Sequence, residues 1–284
     1  MKYKTMLFIP GNNPGMLQSM DILGADAYLV DLEDAVSLDN KDAARDLVSN
    51  FIKEIASDKE IFIRINPPDT PYFKEDVDEL KNLPIKGFML PKASKETVEI
   101  LHNEIKDTDL EIFALIETSK SLENAYDTLS ASDKLVGVLL GAEDLTLDLG
   151  AQRTKDSNEI LYARMKIVAA AKSNRLQAID TPWTDTDDLE GLEKDTLKAK
   201  GLGMTGRALI SPRHVDIVNK IYMPSEKDVQ YALRVFEALK QAKIDGKGAF
   251  SLDGKMVDRP IILRARDVLL AVCQLKEEYV ELLK

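Results

Sequence analysis

Cysteine is almost absent from this chain: Cys273 is the sole one, so no intrachain disulfide can form, and no Cys/His spacing offers a zinc site. A reducing compartment is the natural setting, and a cytoplasmic location is expected. Histidine is scarce too. His102 and His214 fall within helical patterns remote from any serine elbow, which argues against a Ser-His-Asp hydrolase. Long apolar runs are also missing: the stretch from Met6 to Ile9 is too short for a signal segment or a membrane span, and Pro10-Gly11 breaks it, so no membrane partner is expected. Finally, positive charge is in deficit. With 38 Lys and Arg against 49 Asp and Glu, the net charge is −11, and no basic run exists to meet a phosphate backbone, so a nucleic-acid partner is not expected. An anionic small molecule would need local cations that overcome this field.

What remains is an ordinary folded composition, 44% hydrophobic and 31% charged over 284 residues, a length that suits one large domain or two smaller ones. Apolar, β-branched-rich runs recur at Thr5–Pro10, Ala27–Leu32, Ile61–Ile65, Gly87–Pro91, Glu111–Glu117, Leu135–Gly141, Leu176–Thr181 and Arg207–Ser211. They are apolar nearly throughout rather than alternating, as parallel strands buried on both faces require. Amphipathic helical patterns separate them, clearest at Asp42–Ala56, where Ala44, Leu47, Val48, Phe51, Ile52 and Ile55 follow i, i+3, i+4 spacing. Others fall around Pro14–Leu23, Asp76–Asn82, Lys95–Ile105, Lys120–Leu129, Glu159–Lys172, Leu189–Ala199 and Arg213–Lys220. Asn13, Ser94 and Ser211 stand where capping side chains are expected.

Strict strand–helix alternation over eight units predicts a (β/α)8 barrel across residues 1–220, with an open doubly wound sheet as the rival. From 221 to 284 the pattern changes to two helices, Ser225–Ile244 and Pro260–Leu283, joined by Asp245–Arg259. This C-terminal helical extension is expected to pack on the barrel or on a neighbouring subunit.

In such a barrel the site forms at the C-terminal ends of the strands. Those ends carry Asp31, Glu33, Asp34, Arg64, Lys92, Glu117, Glu143, Asp144 and Asp180, with Arg213 just past the eighth. Converging carboxylates repel unless a cation neutralises them, and oxygen ligands with room for water suit Mg²⁺. Glu117 and Asp144 are the candidate metal ligands; the alternative is that they cap the helices after their strands. Arg64 ends an apolar strand and needs an anion, either a substrate carboxylate or a structural partner among Glu33 and Asp31. Lys92 could be a Schiff-base nucleophile, but nearby carboxylates favour its ammonium form. Asp258 reads locally as a helix cap ahead of Pro260. Gly201-Leu202-Gly203-Met204-Thr205-Gly206 has the dinucleotide glycine spacing, but it follows a helix and leads into a strand, so it reads as a helix C-cap.

Met6-Leu7-Phe8-Ile9-Pro10-Gly11-Asn12-Asn13, Asp31-Leu32-Glu33-Asp34-Ala35-Val36, Arg64-Ile65-Asn66, Leu90-Pro91-Lys92, Ile116-Glu117, Gly141-Ala142-Glu143-Asp144-Leu145 and Asp253-Gly254-Lys255-Met256-Val257-Asp258 occur in order. Together they resemble the citrate lyase β/malyl-CoA lyase group of the HpcH/HpaI aldolase superfamily, over nearly the whole chain. The resemblance implies a Mg²⁺-dependent carbon–carbon lyase that cleaves a (3S)-citryl thioester of CoA or an acyl-carrier protein to oxaloacetate and an acetyl thioester. Malyl- or citramalyl-CoA is the alternative substrate, and a mainly structural subunit of a lyase complex the alternative role. It implies Glu117 and Asp144 on the metal and Arg64 on the oxo-acid carboxylate. Substrate is expected against Glu117, Gly141 and Ala142. Glu33 and Asp34 would orient metal-bound water or serve as the base for the hydroxyl, and Asp258 would serve as an acid brought to a neighbouring subunit's barrel in a homo-oligomer, often a trimer. Citrate lyase α and γ subunits are implied partners. Lys41 and Arg45 match basic positions and are candidate CoA contacts, with a solvated helix face as the alternative.

Overall fold

The structure, a computed structural model, describes residues 2–54, 59–244, 246 and 250–283. Eight parallel strands close on themselves: β1 (Thr5–Pro10), β2 (Ala27–Asp31), β3 (Ile61–Arg64), β4 (Gly87–Leu90), β5 (Glu111–Ile116), β6 (Leu135–Leu140), β7 (Gln177–Asp180) and β8 (Gly206–Leu209). The ring is sealed where Thr5, Met6 and Leu7 pair with Arg207, Ala208 and Leu209. The (β/α)8 expectation is therefore met, and no edge remains of the kind an open sheet would leave. Strands β2 and β4 are buried at every residue, which explains their uninterrupted apolar runs.

Inside the barrel, Tyr3, Met6, Leu29, Phe62, Met89, Phe113, Leu139 and Ile179 form one cluster. The Phe62 and Phe113 rings meet edge-on with centroids 5.0 Å apart, so aromatic volume fills the lumen and the barrel is a core rather than a pore. Most strands stop a residue or two before the apolar run does. The pairing nonetheless continues briefly, with Leu32 N donating to Arg64 O at 2.9 Å and Ile65 N to Met89 O at 3.3 Å, as the chain turns outward. That outward turn delivers the charged strand ends to the mouth.

Asn13 caps its helix by accepting from Met16 N, and Ser94 forms a capping box with Thr97. Ser211 does not cap: Pro212–His214 is a short 3-10 turn closed by the backbone bond from His214 N to Ser211 O at 3.1 Å. The helix expected at Asp42–Ala56 spans Lys41–Glu54, and Ile55 and Ala56 lie outside the described residues. The pattern at Lys120–Leu129 divides at Asn124 into Ser119–Glu123 and Ala125–Leu129. One helix was not foreseen, Ala142–Asp148, which opens directly from β6 at Gly141.

The chain forms two compact units, residues 1–220 and 221–284. In the second, helices Glu226–Ile244 and Arg259–Ala271 share a core of Val235, Phe236, Val257 and Leu269, closed by Tyr279 stacked on Phe236 at 4.7 Å. The expected helix Pro260–Leu283 is broken: it stops at Ala271, Cys273 takes a φ of 55°, and helix resumes at Glu277–Glu281. Within the expected link Asp245–Arg259, residue 245 and residues 247–249 lie outside the described set. The rest includes a hairpin, Phe250–Leu252 with Lys255–Val257, turning at Asp253 and Gly254 with φ of 53° and 75°. No helix among the described residues is long and apolar enough to cross a membrane.

Candidate active site at the barrel mouth

A cavity of about 580 Å³ opens at the C-terminal ends of the strands. Phe8, Leu115 and Leu139 give it an apolar floor, and its charged wall is Asp31, Asp34, Arg64, Glu117, Glu143 and Asp144. Arg64 is the sole basic side chain on this lining among the described residues. The lining is therefore acidic, five carboxylates to one guanidinium.

Arg64 is held from one side by Asp31: its Nε donates to Oδ1 at 2.8 Å and its Nη2 to Oδ2 at 2.6 Å, a two-pronged pairing that fixes the guanidinium plane. The remaining edge is looser, with Nη1 at 3.2 Å from Glu33 Oε2 and 3.4 Å from Asp34 Oδ2. Burial opposes the Arg64 charge, but these carboxylates more than offset it and hold the guanidinium above its usual range. The ring of Phe8 lies under it at 5.1 Å. The structural pairing weighed for Arg64 is thus present, and the residue also lines the cavity.

Glu117 follows β5 and is 3% exposed. Among the described residues only the Lys92 amide donates to its carboxylate, at 2.8 Å to Oε1. Burial, then the nearby Glu33 and Asp144 charges, push the Glu117 carboxyl up to about 8. Glu33 is also buried and is pushed up to about 7, with Arg64 opposing the shift. Neither Glu117 nor Asp144 caps a helix: Thr118 caps the one after β5, and Asp144 sits inside the first turn of Ala142–Asp148. Gly141 lets the two walls meet, since a Cβ there would fall 2.6 Å from Glu117 Cβ.

A hard divalent cation fits this donor set. Glu117 and Asp144 line the same cavity, and burial, reinforced by neighbouring negative charge, keeps Glu117 from ionising readily. Among the described residues no group of three or more His, Cys, Asp or Glu could hold a metal, so water and ligand oxygens would have to complete the shell, as Mg²⁺ commonly allows.

Other candidates fall elsewhere. Lys92 has φ of 47° and an exposed ammonium 3.9 Å from Glu33 Oε1, outside the cavity lining. Glu33 is likewise off the lining and backs Arg64. Gly141 and Ala142 do line the cavity. Lys41 and Arg45 are not on a solvated face: both are buried, Lys41 against the carbonyls of Leu32 and Glu33, Arg45 among Asp42, Glu75, Asp76 and Glu79. With their donors so engaged, neither offers a cation to a CoA phosphate. Asp180 is turned into a buried ion network with Arg164 and Arg207, and Arg213 pairs with exposed Asp187. Asp258 belongs to the second unit, where it caps Arg259–Ala271 by accepting from Ile261 N at 3.4 Å. The glycine-rich run is the helix C-cap read from sequence, with Gly203 at φ 105°.

Sequence reasoning missed Thr181, whose buried hydroxyl accepts from Ala142 N at 3.3 Å and ties the end of β7 to the start of the helix bearing Asp144. Its place just after a strand was the available signal.

A closed parallel barrel whose mouth gathers carboxylates around one arginine over an apolar floor has the architecture of a barrel enzyme acting on a small acid. More narrowly, the chain belongs to the HpcH/HpaI aldolase/citrate lyase family, whose model matches residues 4–212. It is 40% identical over 279 residues to citrate lyase subunit beta of Leuconostoc mesenteroides subsp. cremoris, covering 94% of this chain and 92% of that protein. It is 29% identical to the mitochondrial citramalyl-CoA lyase of Homo sapiens, over 97% of this chain and 87% of the other. The crystal structure of CitE from Mycobacterium tuberculosis in complex with magnesium, acetoacetate and coenzyme A superposes with a TM-score of 0.83 at 29% identity, covering 96% and 98% of the two chains. The resemblance read from the motifs is borne out.

Proposed function

We propose that this chain is a Mg²⁺-dependent carbon–carbon lyase that cleaves a (3S)-citryl thioester into oxaloacetate and an acetyl thioester, with Glu117 and Asp144 holding the ion. The observation that carries the reading is the buried Glu117 carboxyl on the same cavity wall as Asp144, with no salt-bridge partner of its own among the described residues. The family relatives agree with it: citrate lyase subunit beta is a carbon–carbon lyase by name, and CitE is crystallised with magnesium. When bound, the ion would supply Lewis-acid polarisation of the substrate oxygens and a countercharge for the carboxylates.

The chain's own residues do the rest. Arg64, its plane set by Asp31, presents Nη1 to a substrate carboxylate and orients the bond to be broken. Asp34, on the cavity lining and largely exposed, accepts the proton of the substrate hydroxyl, with Glu33 behind it steadying Arg64. As that O–H pair becomes the new C=O of oxaloacetate, the C–C bond breaks and its electrons leave as the enolate of the acetyl thioester. Asp258, supplied by a second copy of the chain, protonates that carbon. The low-dielectric floor of Phe8, Leu115 and Leu139 limits water at the enolate.

The same reading makes the protein a cytoplasmic homo-oligomer, a trimer, with citrate lyase α and γ subunits as companions and a CoA or carrier-protein thioester as substrate. The C-terminal unit packs on a barrel, its own or a neighbour's. Mixing inactive Glu117→Gln and Asp258→Asn proteins tests this: regained oxaloacetate formation marks a shared site, and none would refute it. Citramalyl-CoA is the second reading, favoured by the single arginine of the lining, since its product pyruvate has one carboxylate and oxaloacetate has two. Side-by-side assays with citryl and citramalyl thioesters, each on CoA and on a carrier protein, decide between them.

A further inference from the structure

A buried polar brace stands behind the mouth. Lys41 is 5% exposed, and its ammonium donates to two consecutive carbonyls, Leu32 O at 2.7 Å and Glu33 O at 2.6 Å. Leu32 O also accepts from Asn66 Nδ2 at 3.1 Å. Asn66 is itself fixed by Asp76, whose Oδ2 accepts from the Asn66 amide at 3.0 Å and from its Nδ2 at 2.7 Å. Arg45 completes the rear anchor, with Nη1 donating to Asp76 Oδ1 at 3.2 Å. A buried ammonium that meets carbonyls rather than a carboxylate carries a large desolvation cost. A methionine would fill that space without it, so packing does not explain the lysine.

The gripped loop explains it. Its turn is built on Asp31, which accepts from Glu33 N at 2.8 Å and Ala35 N at 3.1 Å while holding Arg64 by two bonds. Glu33 O, one of the carbonyls Lys41 holds, also accepts from Val36 N at 3.0 Å. Displacing the Leu32 and Glu33 carbonyls would displace the carboxylates that aim the guanidinium. We propose that Lys41 is a positioning residue for Arg64: it clamps the Leu32 and Glu33 carbonyls and thereby fixes the acidic turn that orients Arg64 at the cavity, with Asn66, Asp76 and Arg45 as its rear support. The functional half of this inference rests on the role given to Arg64 above.

The test has two arms on the full-length protein. In Lys41→Met, amide hydrogen exchange at Glu33, Ala35 and Val36 should accelerate roughly tenfold or more while amides of β7 and β8 keep their wild-type rates. Unchanged exchange in the loop overturns the brace. In turnover, Lys41→Met should lower kcat/KM about tenfold in wild type and much less in an Arg64→Lys background, because both changes damage one element. Equal losses in the two backgrounds overturn action through Arg64. A wild type that cleaves no thioester would refute the proposed function, and the exchange arm would then decide the brace alone. Should Lys41→Met fail to fold, Asn66→Ala removes the other donor to Leu32 O and is expected to give the same pattern at smaller amplitude.

Discussion

Two of the arginine–carboxylate clusters in the first unit, one behind the barrel wall and one at its mouth, differ in their balance of charge. Behind β7 and β8, Arg164 and Arg207 face Asp180 and Asp195 with all four side chains at most 2% exposed. Arg164 Nη2 reaches both aspartates, at 2.8 and 2.6 Å, and Arg207 Nη2 lies 2.6 Å from Asp195. Burial alone would raise the Asp195 carboxyl, but the two guanidinium groups more than offset it and hold it well below the usual range. At the mouth, Arg64 faces Asp31, Glu33 and Asp34, with the exposed Lys92 ammonium 3.9 Å from Glu33 and with Glu117 and Asp144 on the same cavity as Arg64, and there burial pushes the carboxyls of Glu33 and Glu117 up to about 7 and 8. The first cluster balances its charges within the fold, whereas the second carries more carboxylates than cations, the imbalance on which the proposed metal site rests.

The contrast is broken most sharply by neutralising one carboxylate in each cluster. Glu117→Gln should lower turnover by roughly a thousandfold or more, the several kcal/mol that a lost metal ligand removes from the transition state, and should leave thermal unfolding without Mg²⁺ unimpaired because it removes a carboxyl disfavoured by burial and by neighbouring negative charge. Asp195→Asn should do the reverse. It leaves two buried guanidinium groups to share the single charge of Asp180 and should cost about 3–5 kcal/mol in urea denaturation. If the two variants lost the same property, the distinction would fail.

Substituting Gly141 sharpens the comparison at the mouth alone. Gly141→Ala sets a Cβ 2.6 Å from Glu117 Cβ and 3.0 Å from its Oε2. About 1–3 kcal/mol of overpacking is expected, with a larger relative loss of metal affinity than of stability, read from paired metal titrations and melts. A smaller effect concerns acid. A carboxyl held below its usual value in the folded state contributes stability above the unfolded value, near pH 4, and that contribution is lost as pH falls further through the folded one. Wild type should therefore lose stability below about pH 4 more steeply than Asp195→Asn, measured by urea midpoints across the acid range.

Much of this was legible in the sequence. Doubly buried strands advertise themselves by unbroken apolar runs such as Ala27–Asp31, and eight of them with intervening helices leave few folds to choose from. The strand ends then named Arg64, Glu117 and Asp144 because barrel topology fixes where strand ends go. The helix Ala142–Asp148 was hidden because it starts with no loop after β6 and is too short to show a period. The hairpin near Asp253 was hidden because its strands are three residues long. Lys41 and Arg45 were misread for a different reason. Charge was taken to mean solvent, yet positions 41, 45, 48 and 52 share one helix face, and Val48 and Ile52 on that face are buried. The spacing carried the answer that residue type obscured.

Uptake of a divalent ion by the carboxylate-rich cluster at the mouth is the property on which the proposed chemistry depends. Calorimetric titration of Mg²⁺ into the purified protein, with Glu117→Gln and Asp144→Asn beside it, measures this without any substrate. One saturable site per chain is expected in wild type, lost in both variants; equal binding by all three would rule out Glu117 and Asp144 as the ligands.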